Sequence, residues 1–280
     1  MKKLKKYKEY FLLEENEIQN DIQTEEEKEN DLNYEPFEYN SMIDYTLLDN
    51  SATKDDIKDL CEKAKMFQTK SVCVMPKHVS TAADELEDSD VLVCTVISFP
   101  EGTNSLEEKL RETRQAINDG ADEIDMVLNY QLLMDNWTDD ATDENSIEIY
   151  NELVDEVKSM ADLCHSYTNK DNDPVTLKVI VESGLLNIDQ TKTTTDICID
   201  GDADFIKTST GKVSVGAEID KVKAMYDVIK RSKSNLYIKA SGGIRTLSDI
   251  KLFLPFVDRF GIGYGSVDKL NGLDSTVQGY

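Results

Sequence analysis

The sequence is poor in histidine, holding only His78 and His165, and its five cysteines (Cys61, Cys73, Cys94, Cys164 and Cys198) form no C-x-x-C pair. That pattern excludes the usual zinc constellations and leaves the reduced thiols of a cytoplasmic protein as the simplest reading. No apolar run approaches the roughly 18 residues needed to span a bilayer. The basic start, "MKKLKKYKEYFLLEENE", contains an apolar run, "YFLL", too short for a signal peptide, and acids follow at once. Positive charge is scarce: 31 basic side chains stand against 56 acidic ones, a formal net charge of −25. A field of that sign repels phosphate backbones and anionic lipid, so neither nucleic acid nor a membrane is an expected partner. Phosphate-loop signatures are also missing. No G-x-G-x-x-G turn follows the first strand. The stretch "STGK" (209–212) has no glycine five residues before Gly211 and carries Val213 where a Walker A loop needs Ser or Thr.

What is present falls into three parts. Residues 1–40 are charged: lysines dominate through Lys8, and from Glu14 to Glu38 eleven acids accompany one lysine, Lys28. Such a stretch has too little apolar surface to offset its ordering entropy and reads as a flexible extension. Residues 41–270 repeat one unit, a short apolar run, a turn and an amphipathic segment. Residues 271–280 read as a flexible tail. The apolar runs are "MIDYT" (42–46), "SVCVM" (71–75), "VLVCTVI" (91–97), "EIDMVL" (123–128), "LKVIVE" (177–182), "DFIKT" (204–208), "LYIKA" (236–240) and "RFGIG" (259–263). Between them Ile57, Leu60, Cys61, Ala64 and Phe67 share one helical face, as do Ile219, Val222, Met225, Tyr226 and Ile229, and Leu153, Val154, Val157, Met160, Ala161 and Cys164 mark a third helix. Strands alternating with helices imply parallel pairing with right-handed crossovers, and eight units match an α/β (β/α)8 TIM barrel. A doubly wound open sheet is the alternative. The acid-rich stretch 135–146 lacks the glycine and glutamate of a calcium loop and reads as a solvated loop.

At least five ionisable groups interrupt the apolar runs: Asp125, Lys178, Glu182, Lys207 and Lys239. Strand alternation sets Lys207 opposite to Ile206 and Lys239 opposite to Ile238, so both lysines can face the barrel axis. Charged side chains are seldom buried unless paired. Most of the five are expected toward the C-terminal strand ends, where barrel enzymes place their chemistry. A second ammonium about 4 Å away costs about 4 kcal/mol at an effective dielectric of about 20. That amounts to about 3 pKa units, enough to make one of two neighbouring lysines a nucleophile toward a carbonyl. Asp125 is the candidate proton carrier. Gly242 and Gly243 after strand seven, and "GIGYGS" (261–266) after strand eight, are candidate anion-binding turns.

The segments "GADEIDMVLNY" (120–130), "LKVIVESGLL" (177–186), "ADFIKTSTGK" (203–212) and "KASGGIRT" (239–246) closely resemble the deoxyribose-phosphate aldolase family, as do "SVCVMP" (71–76) and "VCTVISFPEG" (93–102) in the same order. The resemblance implies a class I aldolase on a (β/α)8 barrel that needs neither metal nor cofactor. It implies small-molecule partners, 2-deoxy-D-ribose 5-phosphate cleaved reversibly to D-glyceraldehyde 3-phosphate and acetaldehyde, and a homodimer as in many members. By motif, Lys207 resembles the Schiff-base lysine, Lys239 the lysine that lowers its pKa, and Asp125 the proton-relay acid. Lys178 resembles a lysine lining the substrate channel. Gly211, Gly242, Gly243, Gly261 and Gly263 resemble phosphate-loop positions, with Lys212 a phosphate-side charge. Tyr45, Asp49, Met75, Ser98 and Glu101 depart from the family pattern, and Gly263-Tyr264 replaces its Ser-Ser pair, with Ser266 the nearest hydroxyl substitute. The terminal Tyr280 is a candidate proton shuttle. Altered acceptor preference, and a barrel acting mainly in protein interaction through its acidic arm, stay open as alternatives.

Overall fold

The computed structural model describes residues 37–136 and 143–273. Most of the acidic arm, and Tyr280 with its suggested shuttle role, lie outside the described residues. Eight parallel strands close into a barrel in sequence order. They are β1 (Ile43–Leu47), β2 (Ser71–Val74), β3 (Leu92–Ile97), β4 (Glu123–Val127), β5 (Thr176–Ile180), β6 (Phe205–Lys207), β7 (Tyr237–Ser241) and β8 (Arg259–Gly263). The ring closes where β8 pairs with β1, in the register Ile43 with Phe260 through Thr46 with Gly263. Closure removes both sheet edges and excludes the open-sheet alternative.

Between the strands run the helices α1 (Phe37–Asn40), α2 (Lys54–Phe67), α3 (Val79–Glu85), α4 (Leu106–Asn118), α5 (Gln131–Asn136), α6 (Glu144–His165), α7 (Ile188–Asp200), α8 (Ile219–Ser232), α9 (Leu247–Phe253) and α10 (Tyr264–Leu270). Local chemistry sets their starts. Thr53 and Asp56 form a capping box on α2, as Ser105 and Glu108 do on α4, Asn187 and Gln190 on α7, and Thr246 and Asp249 on α9. Each such cap contributes about 1 kcal/mol. The expected face of α2 is the buried one: Ile57, Leu60, Cys61, Ala64 and Phe67. The expected loop at 135–146 is shorter than its acidity suggested. α5 runs to Asn136, and Asp143 already caps α6 by accepting from the Ser146 amide.

Strand alternation splits the interior into two compartments. Outward residues such as Ile43, Val72, Ile124, Val179, Ile206, Ile238 and Phe260 join the helices in one large apolar core. Burying each such side chain contributes about 1.5–3 kcal/mol. Inward residues form smaller apolar clusters, one of Leu48, Cys73, Cys94 and Val96 and another of Val127, Tyr130 and Ile180, with Phe99 against both. The rest of the inner face is ionic.

Tyr45 points outward. Its ring packs edge-on against Phe67 at 6.1 Å and its hydroxyl donates to Asp268, so this departure from the family pattern belongs to the helix–strand layer. At the chain's described ends, Asn40 and Asn271 exchange side-chain amide hydrogen bonds. Among the described residues no helix is long and apolar enough to cross a membrane.

Candidate active site

Seven ionisable side chains meet inside the barrel, one from each of five strands and two from β4: Asp44, Glu123, Asp125, Lys178, Lys207, Lys239 and Arg259, all buried. Asp125 is the hub. Its Oδ2 accepts from the Nζ atoms of both Lys207 and Lys239 at 2.7 Å. Its Oδ1 accepts from Lys178 Nζ at 2.9 Å and from the Cys94 thiol at 3.2 Å. Lys178 also pairs with Glu123 at 2.8 Å, and Lys239 with Asp44. Arg259 closes the base of the cluster, its Nη1 lying 2.7 Å from Asp44 Oδ1 and 3.1 Å from Glu123 Oε2.

Register explains the convergence. Asp125 is paired with Lys178 across β4 and β5, Lys207 with Lys239 across β6 and β7, and Lys239 with Arg259 across β7 and β8. Position 261 must be small for the same reason. A Cβ on Gly261 would lie 3.1 Å from Lys239 Cε and 2.9 Å from Ser241 Cβ.

The charges hold one another ionised. Burial favours neutral Asp125, yet Lys178, Lys207 and Lys239 together keep its carboxyl well below the usual carboxylate range. Burial likewise works against the Lys239 ammonium, but Asp125 and Asp44 outweigh it and hold the proton on more firmly than usual. Lys178 is raised in the same way by Asp125, Cys94 and Glu123. Asp44 is pushed far down by Arg259, Lys239 and Lys178 against its own burial. The cluster therefore counts four cations against three carboxylates. Lys178 pairs with three carboxylates (Glu123, Asp125 and, at 3.7 Å, Asp44) and Lys239 with two, whereas among the described residues Lys207 pairs with Asp125 alone.

Two expectations are corrected. The charged strand residues do not gather at the C-terminal ends: Asp125, Lys178 and Lys239 sit mid-strand, and Lys207 alone ends its strand. Glu182 is not a strand residue. β5 stops at Ile180, and Glu182 adopts a left-handed conformation (φ 49°) ahead of a short 3-10 turn, Ser183–Leu185. That turn aims its carboxylate across the rim, where it accepts from the Thr210 amide at 3.2 Å and from the Thr210 hydroxyl.

The other sequence candidates line the same end as Lys207. Gly211 (φ +76°) and Lys212 lie in the β6–α8 loop, and Gly242 and Gly243 (φ +83° and +82°) follow β7. A Cβ on Gly216 would be 2.2 Å from the Gly242 carbonyl oxygen, so these two loops touch backbone to backbone. Lys212 reaches over the mouth, donating to the Leu48 carbonyl at 2.9 Å with its Nζ 5.9 Å from the Phe99 ring centroid. Gly263 caps α10 with no side-chain hydrogen bond, and Ser266 is buried. Gly261 lies within β8 beside Lys239, set apart from the loop glycines. Sequence reasoning missed Asp44, Glu123, Arg259 and the cysteine Cys94 as members of the cluster. The signal was the one used for the lysines, a charge at an inward position of an apolar strand: Asp44 in "MIDYT" and Arg259 in "RFGIG".

The model of the DeoC/LacD family aldolases matches residues 41–259, the whole barrel up to the start of β8. The chain belongs to that family. It is 41% identical over 213 residues to the deoxyribose-phosphate aldolase of Mycoplasmoides pirum, covering 76% of this chain and 87% of that one. It is 39% identical over 239 residues to the deoxyribose-phosphate aldolase of Staphylococcus carnosus, covering 85% and 98%. Among solved structures, the tetrameric deoxyribose phosphate aldolase of Aeropyrum pernix superposes with a TM-score of 0.71 at 28% identity, over 87% of this chain and 94% of that one.

Proposed function

We propose that this aldolase cleaves 2-deoxy-D-ribose 5-phosphate reversibly to D-glyceraldehyde 3-phosphate and acetaldehyde, through a Schiff base on Lys207. The carrying observation is the arrangement around Asp125. Three buried ammonium groups converge on one carboxylate, and the one bound to Asp125 alone, Lys207, sits at the strand end facing the mouth.

With four cations against three carboxylates, the cluster becomes neutral when one proton leaves. Lys178 is held by three carboxylates and Lys239 by two, which leaves Lys207 as the least tied of the three amines and the one we assign as nucleophile. The neutral amine adds to the open-chain aldehyde, and loss of water gives the iminium. Asp125 takes the proton from the C3 hydroxyl, and the C2–C3 bond breaks as its electron pair enters the iminium, forming an enamine. A carboxyl with so depressed a pKa is a strong acid once protonated, so it passes the proton on to C2 of the enamine after glyceraldehyde 3-phosphate leaves. Hydrolysis of the resulting iminium releases acetaldehyde and regenerates Lys207. Lys239 stays protonated throughout and steadies Asp125. The Gly211, Gly242 and Gly243 turns and Lys212 offer backbone amides and one cation to the phosphate, a distance from the reacting carbons that orients the sugar.

Borohydride treatment with acetaldehyde is expected to label Lys207 and to leave Lys207→Leu unlabelled; a folded wild-type protein that takes no label would refute the Schiff base. Gly263 and Tyr264 support one refinement, a relaxed demand for phosphate, because the Gly263 cap of α10 offers no side-chain hydrogen bond and Ser266 is buried. Turnover of 2-deoxyribose relative to its 5-phosphate measures it. A cytoplasmic location and self-association are consistent with this reading; gel filtration tests the latter.

A further inference from the structure

Cys73 and Cys94 are paired residues on β2 and β3, both facing the barrel axis, both free and fully buried. Their sulfurs and a carboxylate oxygen of Asp125 all lie within 4.8 Å of one another. The proposed mechanism leaves both thiols unused.

We infer that Cys73, Cys94 and Asp125 form an inhibitory site for a thiophilic divalent cation such as Zn2+ or Cd2+. Two thiolates and a carboxylate are a ligand set suited to such ions. Two sulfurs on one tetrahedral zinc, each at about 2.3 Å, are about 3.7 Å apart, a spacing the present separation accommodates with small side-chain adjustment. The exchange is balanced in charge. Each thiol gives up its proton to solvent, so two protons leave as one divalent ion enters and the cluster's net charge does not change. The neighbouring Lys178 Nζ, 3.3 Å from Cys94 Sγ, stabilises the thiolate that forms.

The consequence for catalysis follows from the third ligand. An ion bound to Asp125 competes with Lys207 and Lys239 for the one carboxylate that holds them. Entry is from the mouth, past Met75 and Phe99, which are only partly buried over the thiol pair, so binding is slow and time-dependent. The remaining cysteines, Cys61, Cys164 and Cys198, belong to the outer core and serve as internal controls.

Inhibition depends on the aldolase reading; metal binding does not, and the test separates them. The full chain is titrated with Cd2+. The expected result is one equivalent bound, an ultraviolet sulfur-to-metal charge-transfer band, and a native mass that rises by one cadmium less two protons. Cys73→Ala and Cys94→Ala are each expected to weaken that binding by more than about 10-fold. Loss of 2-deoxyribose 5-phosphate cleavage in step with the band, reversed by a chelator, completes the case. A wild-type protein without the band, or a band of unchanged affinity in the folded Cys94→Ala protein, overturns the site. A band without any aldolase activity in the metal-free protein would instead refute the proposed reaction.

Discussion

Lys207 differs from its two neighbours in the number of carboxylates it can lean on, and the same bookkeeping predicts what the surrounding residues are for. Arg259 touches no reacting atom. It binds Asp44 and Glu123 from below, and those two in turn hold Lys239 and Lys178. Arg259→Met leaves two buried carboxylates short of a partner and is expected to cost about 3–5 kcal/mol of stability, read by urea unfolding; a change below about 1 kcal/mol would mean the base of the cluster is solvated. The pH dependence has a definite sign on each side. Asp44 and Asp125 have depressed folded pKa values, so their contribution is complete above the unfolded value of about 3.9 and falls away as the pH drops below it. Lys178 and Lys239 have raised ones, so theirs is complete below about 10.4 and falls away as the pH climbs beyond it. Thermal unfolding is expected to show a plateau between those limits, with an acid limb that is shallower in Asp44→Asn.

At the scale of elements, the strands were legible because parallel strands buried on both faces must be apolar, which makes any charge within them conspicuous. The eight runs lie within two residues of the eight strands. The α2 face was legible for the complementary reason, a 3.6-residue period against a core. What could not be read was where a strand stops and bends. "LKVIVE" alternates through Glu182, yet the chain turns after Ile180 because the Glu182 carboxylate satisfies the Thr210 amide on the next loop, a contact between residues 28 apart in sequence. Nor does alternation say which opposite charges meet: Asp44 and Arg259 are brought together only by ring closure, 215 residues apart. Glu182 thereby ties the β5 rim to the loop that follows Lys207. Glu182→Ala leaves the buried Thr210 amide unpaired and is expected to cost about 1–3 kcal/mol. It is also expected to raise KM for 2-deoxyribose 5-phosphate while borohydride still labels Lys207. Loss of labelling with the fold intact would move Glu182 from positioning the loop to the chemistry itself.

Across the whole molecule, the formal charge of −25 opposes the arrival of an anionic substrate at a mouth whose nearest cations are Lys207 and Lys212. The two influences differ in range. The mouth lysines act over a few ångströms, and Lys207 is buried, so salt screens them little; the surface acids act over the Debye length and are screened strongly. Raising the ionic strength from 0.01 M to 0.15 M shortens that length from about 30 Å to about 8 Å. The repulsion should fade while the local attraction persists. The second-order constant kcat/KM for 2-deoxyribose 5-phosphate is therefore expected to rise a few fold over this range, whereas that for unphosphorylated 2-deoxyribose stays level. Steady-state assays of both sugars along a salt series check it. A kcat/KM that falls with salt for the phosphate ester alone would show that the mouth, not the −25 surface, governs approach, and would assign to Lys212 and the glycine turns a longer reach than their burial allows.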